Sequence, residues 1–337
     1  MVGSVPIFSA QVSQGNHAHQ PAPPIQNRQP MKLPALGAVL LLLASVATAA
    51  EKNQVIEKSF PSPPGKVVRV DVGSLDVYVR AADIPDIRLK VELVAAAFSE
   101  KQANAWIEAH LPTINDTEAE LRITAPDPGG VSLFKGVLGT RARVELTVPQ
   151  SSRPDLSTSS GTLRAEGEFP EAKPLRLRSG SGDIEFTGWV SRLEARTVSG
   201  DIRVLATRAI DDVLGRSSSG AIELTGGARK AQCDNASGDV HLAGLLGPTV
   251  VNTTSGDVVA RLDLLPPGQE ARITTTSGKV RVTLPPGTQP GGVLASTKGE
   301  IRSSYPGKTD PEAIKLDLSG KDPKVFVTTN SGKIELL

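Results

Sequence analysis

The sequence predicts an all-β chain whose C-terminal part is a parallel β-solenoid, and three observations carry that expectation. Aromatic residues are only 3% while glycine and proline number 32 and 26, which favours short strands punctuated by turns over a helical bundle. A Ser-Gly pair recurs at near-constant spacing through the second half of the chain, the mark of a repeat architecture. After each glycine, apolar residues alternate with mostly charged ones, the period of a strand with one buried face.

The N-terminus reads as an address. The 337 residues hold 37 basic and 36 acidic side chains, a balance with no bias toward nucleic acid. Met31-Lys32 leads into the apolar run Ala35 to Val46, followed by small residues to Ala50 and charged Glu51-Lys52. This is a signal-peptide pattern over residues 31–50, with a cut expected after Ala49 or Ala50. The apolar core is short for a membrane span, so no transmembrane segment is expected after cleavage. Residues 1–30 are polar and Pro-rich, as in Gln20-Pro21-Ala22-Pro23-Pro24, and read as a disordered extension or as translation assigned upstream of a true start at Met31. No cysteine follows the signal to carry a lipid. The expected location is the periplasm or the cell surface.

Residues 51–150 read as a β-rich N-terminal cap with one helix. Strands are expected at Val67 to Val72, Leu75 to Arg80, Ile87 to Ala95, Glu120 to Thr124 and Ala142 to Val148. Ser99 opens the helix as an N-cap, Trp106, Ile107 and Leu111 share one face, and Pro112 ends it. Val72-Gly73-Ser74-Leu75-Asp76-Val77 reads as a divergent first copy of the repeat that follows.

Residues 151–337 form the repeat itself. Its turn glycines are Gly161, Gly182, Gly200, Gly220, Gly238, Gly256, Gly278, Gly299 and Gly332, spaced by 21, 18, 20, 18, 18, 22, 21 and 33 residues. About nine coils are therefore expected, the last interval holding an insertion. Two positions after the glycine every copy is aliphatic, from Leu163 and Ile184 to Ile301 and Ile334. Five positions before it lie residues such as Leu156, Leu177, Cys233, Val251 and Ile273, and three before it a small polar residue such as Thr158, Ser179, Thr197 or Asn235. Each coil thus has a strand on either side of a Ser-Gly turn, where glycine would supply a positive φ and serine a local hydrogen bond. One coil of about 20 residues cannot offset its ordering entropy of roughly 1 to 2 kcal/mol per residue with about four buried aliphatics. Neighbouring coils must supply the rest, and equivalent strands should stack in parallel at roughly 4.8 Å.

The residues resemble the bacterial β-strand-repeat proteins of unknown function labelled "putative adhesin". The likeness spans roughly residues 66–337 and rests on Arg69-Val70-Asp71-Val72-Gly73-Ser74-Leu75-Asp76-Val77, a helix, Val144-Glu145-Leu146-Thr147-Val148-Pro149, and then Ser-Gly-Asp-Ile/Val copies. The resemblance implies a roll-like or right-handed β-solenoid of the cell envelope, an adhesive role, and no catalytic motif to transfer. Ala221, Lys279, Glu300 and Lys333 stand where the motif has Asp, which argues against a function needing every Asp.

Candidate sites are few. Asp183, Asp201, Asp239 and Asp257 could hold calcium between coils, but each coil has one glycine turn and two lysines share the column; a solvated turn carboxylate is the preferred reading. The column Arg164, Glu185, Arg203, Glu223, His241, Val259, Arg281, Arg302, Glu335 alternates in sign and reads as a ladder of ion pairs rather than a polyanion stripe. Cys233 shares its column with Leu177 and Val251 and reads as a buried small apolar residue. The apolar run from Gly130 to Gly139 is read first as packing against the first coil, with Leu133 and Phe134 the candidate contacts for a partner or membrane in the alternative reading. No catalytic, cofactor or metal-binding constellation emerges. The expected function is a noncatalytic structural or binding module of the envelope, its partner a glycan, a protein or another copy of itself. A polysaccharide-acting β-helix enzyme, which needs only two carboxylates placed by the fold, and an envelope- or lipid-sensing module are the alternatives.

Overall fold

The computed structural model describes residues 49–127, 136–172, 174–310 and 312–337. These residues form an all-β, helix-poor repeat built on two long sheets, with one helix, Glu100–His110. Each copy contributes one strand to each sheet. In the Gly182 copy, Leu175–Ser179 joins one sheet and Ile184–Val190 the other. Equivalent strands pair in parallel with the repeat's own register, as in Leu177↔Ala195 and Ile184↔Ile202. The columns five before and two after the glycine face inward and form the core, in which Leu156, Leu177, Cys233, Ile184 and Val258 are fully buried.

All nine turn glycines lie in one column, and they are there mainly because of close approach. A Cβ on Gly182 would collide with the carbonyl oxygen of Gly161, one on Gly200 with that of Gly182, and so on along the stack. The positive φ expected of these turns is found only at Gly238, Gly256 and Gly278, at 131°, 140° and 149°. Those three mark a second kind of turn. In the earlier copies the glycine N–H donates to the buried hydroxyl three residues before it, as Gly182 to Ser179 at 2.8 Å and Gly220 to Ser217 at 2.9 Å. That hydroxyl donates in turn to the glycine carbonyl of the preceding copy, as Thr197 to Gly182 at 3.1 Å and Ser217 to Gly200 at 3.2 Å. In these copies the small polar residue can sit inside because both of its hydrogen-bonding functions are met, whereas the buried hydroxyls of Thr275 and Thr329 have no partner. At Gly238, Gly256 and Gly278 the glycine N–H goes to the next copy instead, to Ser255, Ser277 and Ser331 carbonyls at 3.0, 3.1 and 3.2 Å.

Spatial order departs from sequence order at the far end. The Gly332 copy does not follow the Gly299 copy; it lies between the Gly278 and Gly299 copies, with Val280↔Ile334 on one side and Ile301↔Ile334 on the other. Side-chain chemistry accounts for the exchange. The Gly332 copy brings Ile334 and Leu336, both fully buried, where the Gly299 copy has Ile301 and Ser303, both partly exposed. The more apolar copy occupies the inner place. The insertion forms two antiparallel strands, Gly307–Asp310 and Lys315–Ser319, that extend the sheet beyond Gly291–Ser296.

At the near end, Val67–Val72 and Asp76–Ala82 form a copy in register with the Gly161 copy, with Val72↔Thr158 and Val77↔Leu163. That register puts Leu75, not Gly73, in the glycine column. Outside this copy lie Glu120–Ala125 in one sheet and Val137–Pro149 in the other, both parallel to it. Antiparallel Asp86–Ala97 and Ala50–Pro61 then extend the second sheet. Ala50–Pro61 and Thr113–Asp116 are strands that the sequence pattern does not predict. Ser99 caps the helix as expected, accepting from Gln102 N–H at 3.4 Å. Lys66 fastens this end: its side chain is buried, and its ammonium donates to Asp116 at 2.6 Å and to the Pro61 carbonyl at 2.8 Å.

Candidate functional site

A cavity of about 730 Å³ opens beside the last turn of the helix, bounded by the turn around Ser74, by Ser160 of the next copy and by the first half of Val137–Pro149. Helical spacing brings Trp106 and His110 to its wall one turn apart. Their rings stack with centroids 4.0 Å apart and planes 24° from parallel. The His110 Nδ1–H donates to the Trp106 carbonyl at 2.7 Å, which assigns that nitrogen the proton because a carbonyl only accepts. Both residues are buried.

Opposite them stand Arg141 and Arg143, two residues apart on one strand and hence on one face. The Arg143 guanidinium donates to Glu145 at 3.2 Å and lies 4.6 Å above the Tyr78 ring. Partial burial opposes its charge, but Glu145, Tyr78 and Asp76 outweigh that and hold it above the ordinary guanidinium value. Its Nε is buried with no hydrogen-bond partner. Asp76 also lines the cavity, with one oxygen already accepting the Thr162 N–H at 2.9 Å. An aromatic wall, two guanidiniums, carboxylates and serine hydroxyls suit a polar ligand rich in both donors and acceptors.

The residues singled out in the sequence fall elsewhere. The nine glycines form a structural ridge. Leu133 and Phe134 lie outside the described residues. Cys233 is buried, and burial beside Asp234 pushes its thiol up to about 12. His241 is an exposed strand residue.

The charge ladder holds in part: Arg164 meets Glu185 at 2.5 Å and Arg281 meets Glu335 at 2.7 Å. Arg203 instead takes Asp201 of its own copy, at 2.6 Å. Between Lys333 and Arg281, Glu335 is pulled down to about 2.

The carboxylates of the Asp column are partly exposed, and each also makes a bond between copies. Asp76, Asp183, Asp201, Asp239 and Asp257 each accept the backbone N–H of the equivalent residue one copy further on, at 2.8 to 2.9 Å. Each such bond engages Oδ1 and leaves the second carboxylate oxygen for solvent or a charged neighbour, as Asp201 Oδ2 accepts from Arg203. Among the described residues, no cluster of three or more His, Cys, Asp or Glu is placed to hold a metal.

Residues 137–227 and 212–337 both match the model of Toastrack DUF4097, so the match covers more than half of the chain. The chain belongs to the Toastrack DUF4097 family. Several bacterial solved structures are similar to this Toastrack chain. One from Parabacteroides distasonis, described as a "putative lipid binding protein", has 13% identity and a TM-score of 0.49 over 84% of this chain and 96% of its own. A "putative adhesin" from Parabacteroides merdae has 14% identity and a TM-score of 0.46 over 84% and 96%. Another "putative adhesin", from Bacteroides fragilis, has 10% identity and a TM-score of 0.44 over 84% and 97%. Among curated proteins none matches.

Proposed function

We propose that this Toastrack protein is an exported, noncatalytic, adhesin-like module of the bacterial cell envelope. In this reading residues 31–50 are its signal peptide, residues 151–337 a β-solenoid of about nine coils and residues 51–150 its cap. The partner is an envelope glycan, bound at the cavity of Trp106, Arg141 and Arg143. One observation carries the reading: the repeat's polar groups bond between copies, one oxygen of each Asp carboxylate to a backbone N–H and the ladder hydroxyls of the earlier copies to glycine N–H and C=O groups. The repeat is architecture, and recognition falls to the cap and the faces.

The test is fractionation of cells producing the full chain, followed by binding of the exported protein to isolated envelope polysaccharide. Periplasmic or surface recovery, with binding that Arg141→Ala plus Arg143→Ala weakens, supports the proposal. Retention in the cytoplasm, or release of new reducing ends from the polysaccharide, overturns it; the second outcome identifies a glycan-cleaving enzyme.

A further inference from the structure

Three arginines stand in register on the outer face of one sheet, four residues before successive turn glycines. Arg178 pairs with Arg196 and Arg196 with Arg216, on strands about 4.8 Å apart. Like charges directly opposite each other destabilise a sheet. The outer two are relieved: Arg178 lies 3.1 Å from Asp155, and Arg216 donates to Asp234 at 3.1 Å. Arg196 is exposed and has no such relief. Glu194, on its own strand, is held between Arg176 and Arg192 at 3.4 and 3.3 Å, and no carboxylate among the described residues pairs with Arg196.

The surroundings of this column suit a sugar. Two residues past Arg196, Val198 is 56% exposed, an apolar spot on which the C–H face of a sugar ring can rest. Toward the next copies the column runs into a shallow depression of about 400 Å³, lined by Arg216, Ser218, Asn252 and Thr254. Asn235, which stands where the other copies have Ser or Thr, also lines it and is buried. Its amide N–H groups donate to the Gly220 and Gly238 carbonyls at 2.9 Å, but its Oδ1 has no partner. A buried acceptor left open calls for a donor, which a sugar hydroxyl supplies directly or through one water. No residue lining the depression is aromatic, so it lacks the stacking platform that single-stranded nucleic acid uses.

We propose that the outer face around Arg178, Arg196 and Arg216 binds an acidic polysaccharide, with one sugar carboxylate on the Arg196 guanidinium and the chain running along the stack into the depression at Asn235. A guanidinium without a carboxylate partner offers two parallel N–H donors to such a group, a fork that an ammonium lacks. The site lies on the repeat, apart from the cavity of Trp106, and takes from the reading above only that the partner is a glycan.

The full chain is tested by electrophoresis in native gels that contain polygalacturonate, a uronate polymer, or neutral dextran, or single-stranded DNA. Polygalacturonate should retard the parent, dextran should not, and DNA should do so far less. Arg196→Ala should weaken the retardation about tenfold, the loss of one charge-assisted pair. Its melting temperature should stay level or rise, because two like-charged neighbours are relieved. Arg196→Lys, which keeps the charge without the fork, should recover only part of the binding. A parent that polygalacturonate does not retard, or retards equally after Arg196→Ala, overturns the proposal. Equal retardation by DNA overturns it too, since the face then attracts any polyanion. If Arg141→Ala plus Arg143→Ala abolishes binding that Arg196→Ala leaves intact, this site falls and the cavity reading stands.

Discussion

Asp201 Oδ1 accepts the backbone N–H of Ala221 at 2.9 Å, one copy further along the stack. The bond joins the turn of one copy to the turn of the next, outside the ladders of the two sheets. Where Asp follows the turn glycine, the edge of each layer is clipped to its neighbour; at Ala221 the series is interrupted and resumes at Asp239.

Removing the clip should cost stability without altering the fold. Asp201→Ala leaves the Ala221 N–H without its acceptor and should lose about 1–2 kcal/mol. Asp201→Asn keeps a carbonyl oxygen in the same place and should lose less than half as much. Urea titrations of the two variants decide the matter, since equal losses would mean that the charge paired with Arg203 matters rather than the bond. Conversely, Ala221→Asp should gain about 0.5–1 kcal/mol by reaching the Asp239 N–H.

Glycine is needed in this column because of space. Gly200→Ala drives a methyl group into the Gly182 carbonyl oxygen, which neighbouring copies hold in place, and should cost about 3 kcal/mol or more. Gly287, by contrast, has φ of 82° but nothing within 4 Å of its Cβ position, and Gly287→Ala should cost about 1–2 kcal/mol from backbone strain alone. Thermal melts of both variants rank them. The reverse ranking would restore the conformational explanation.

Cys233 ties stability to alkaline pH. Burial raises its thiol from 9.0 to about 12, with Asp234 adding to the shift. Above pH 9 the unfolded chain loses this proton while the folded chain keeps it, so stability is complete below pH 9 and is lost as pH rises toward 12. Cys233→Ala should therefore show a flatter loss across that window than the parent, by up to about 1.4 kcal/mol per pH unit. Denaturation midpoints at pH 8 and pH 10.5 test it, and parallel curves would refute the assignment. In native buffer the thiol should resist aromatic disulfide reagents until the protein unfolds.

The repeat was legible because its geometry recurs in every copy. A fixed offset between glycine and aliphatic residue is a direct image of the parallel register, so Ile184↔Ile202 or Leu177↔Ala195 could be read from the letters. What pattern could not supply was the reason for each letter. Glycine at 200 is forced by a carbonyl of another copy, a contact invisible along the chain. Ala50–Pro61 escaped notice because it is an edge strand exposed over much of its length, without the apolar alternation that reveals a half-buried one. The cavity was equally hidden. Trp106 was visible on a helical face with Ile107 and Leu111, but His110 was not singled out, and Arg141, Arg143, Asp76 and Ser160 come to them from three separate segments.

The exchanged order of the last two copies makes its own prediction. Ile301 and Ile334 are the same residue in the same column of adjacent copies and pair directly with each other. Ile334 has a neighbour on both sides, Val280 and Ile301, and is fully buried; Ile301 has one and is partly exposed. Truncation at the inner position opens a cavity that cannot collapse, so Ile334→Ala should cost about 3–4 kcal/mol. Truncation at the outer position loses only part of that burial, so Ile301→Ala should cost about 1–2 kcal/mol. Had the copies stacked in sequence order, Ile301 would be the interior residue and the two costs would be reversed. Chemical denaturation of the two variants thus tests the topology as well as the packing.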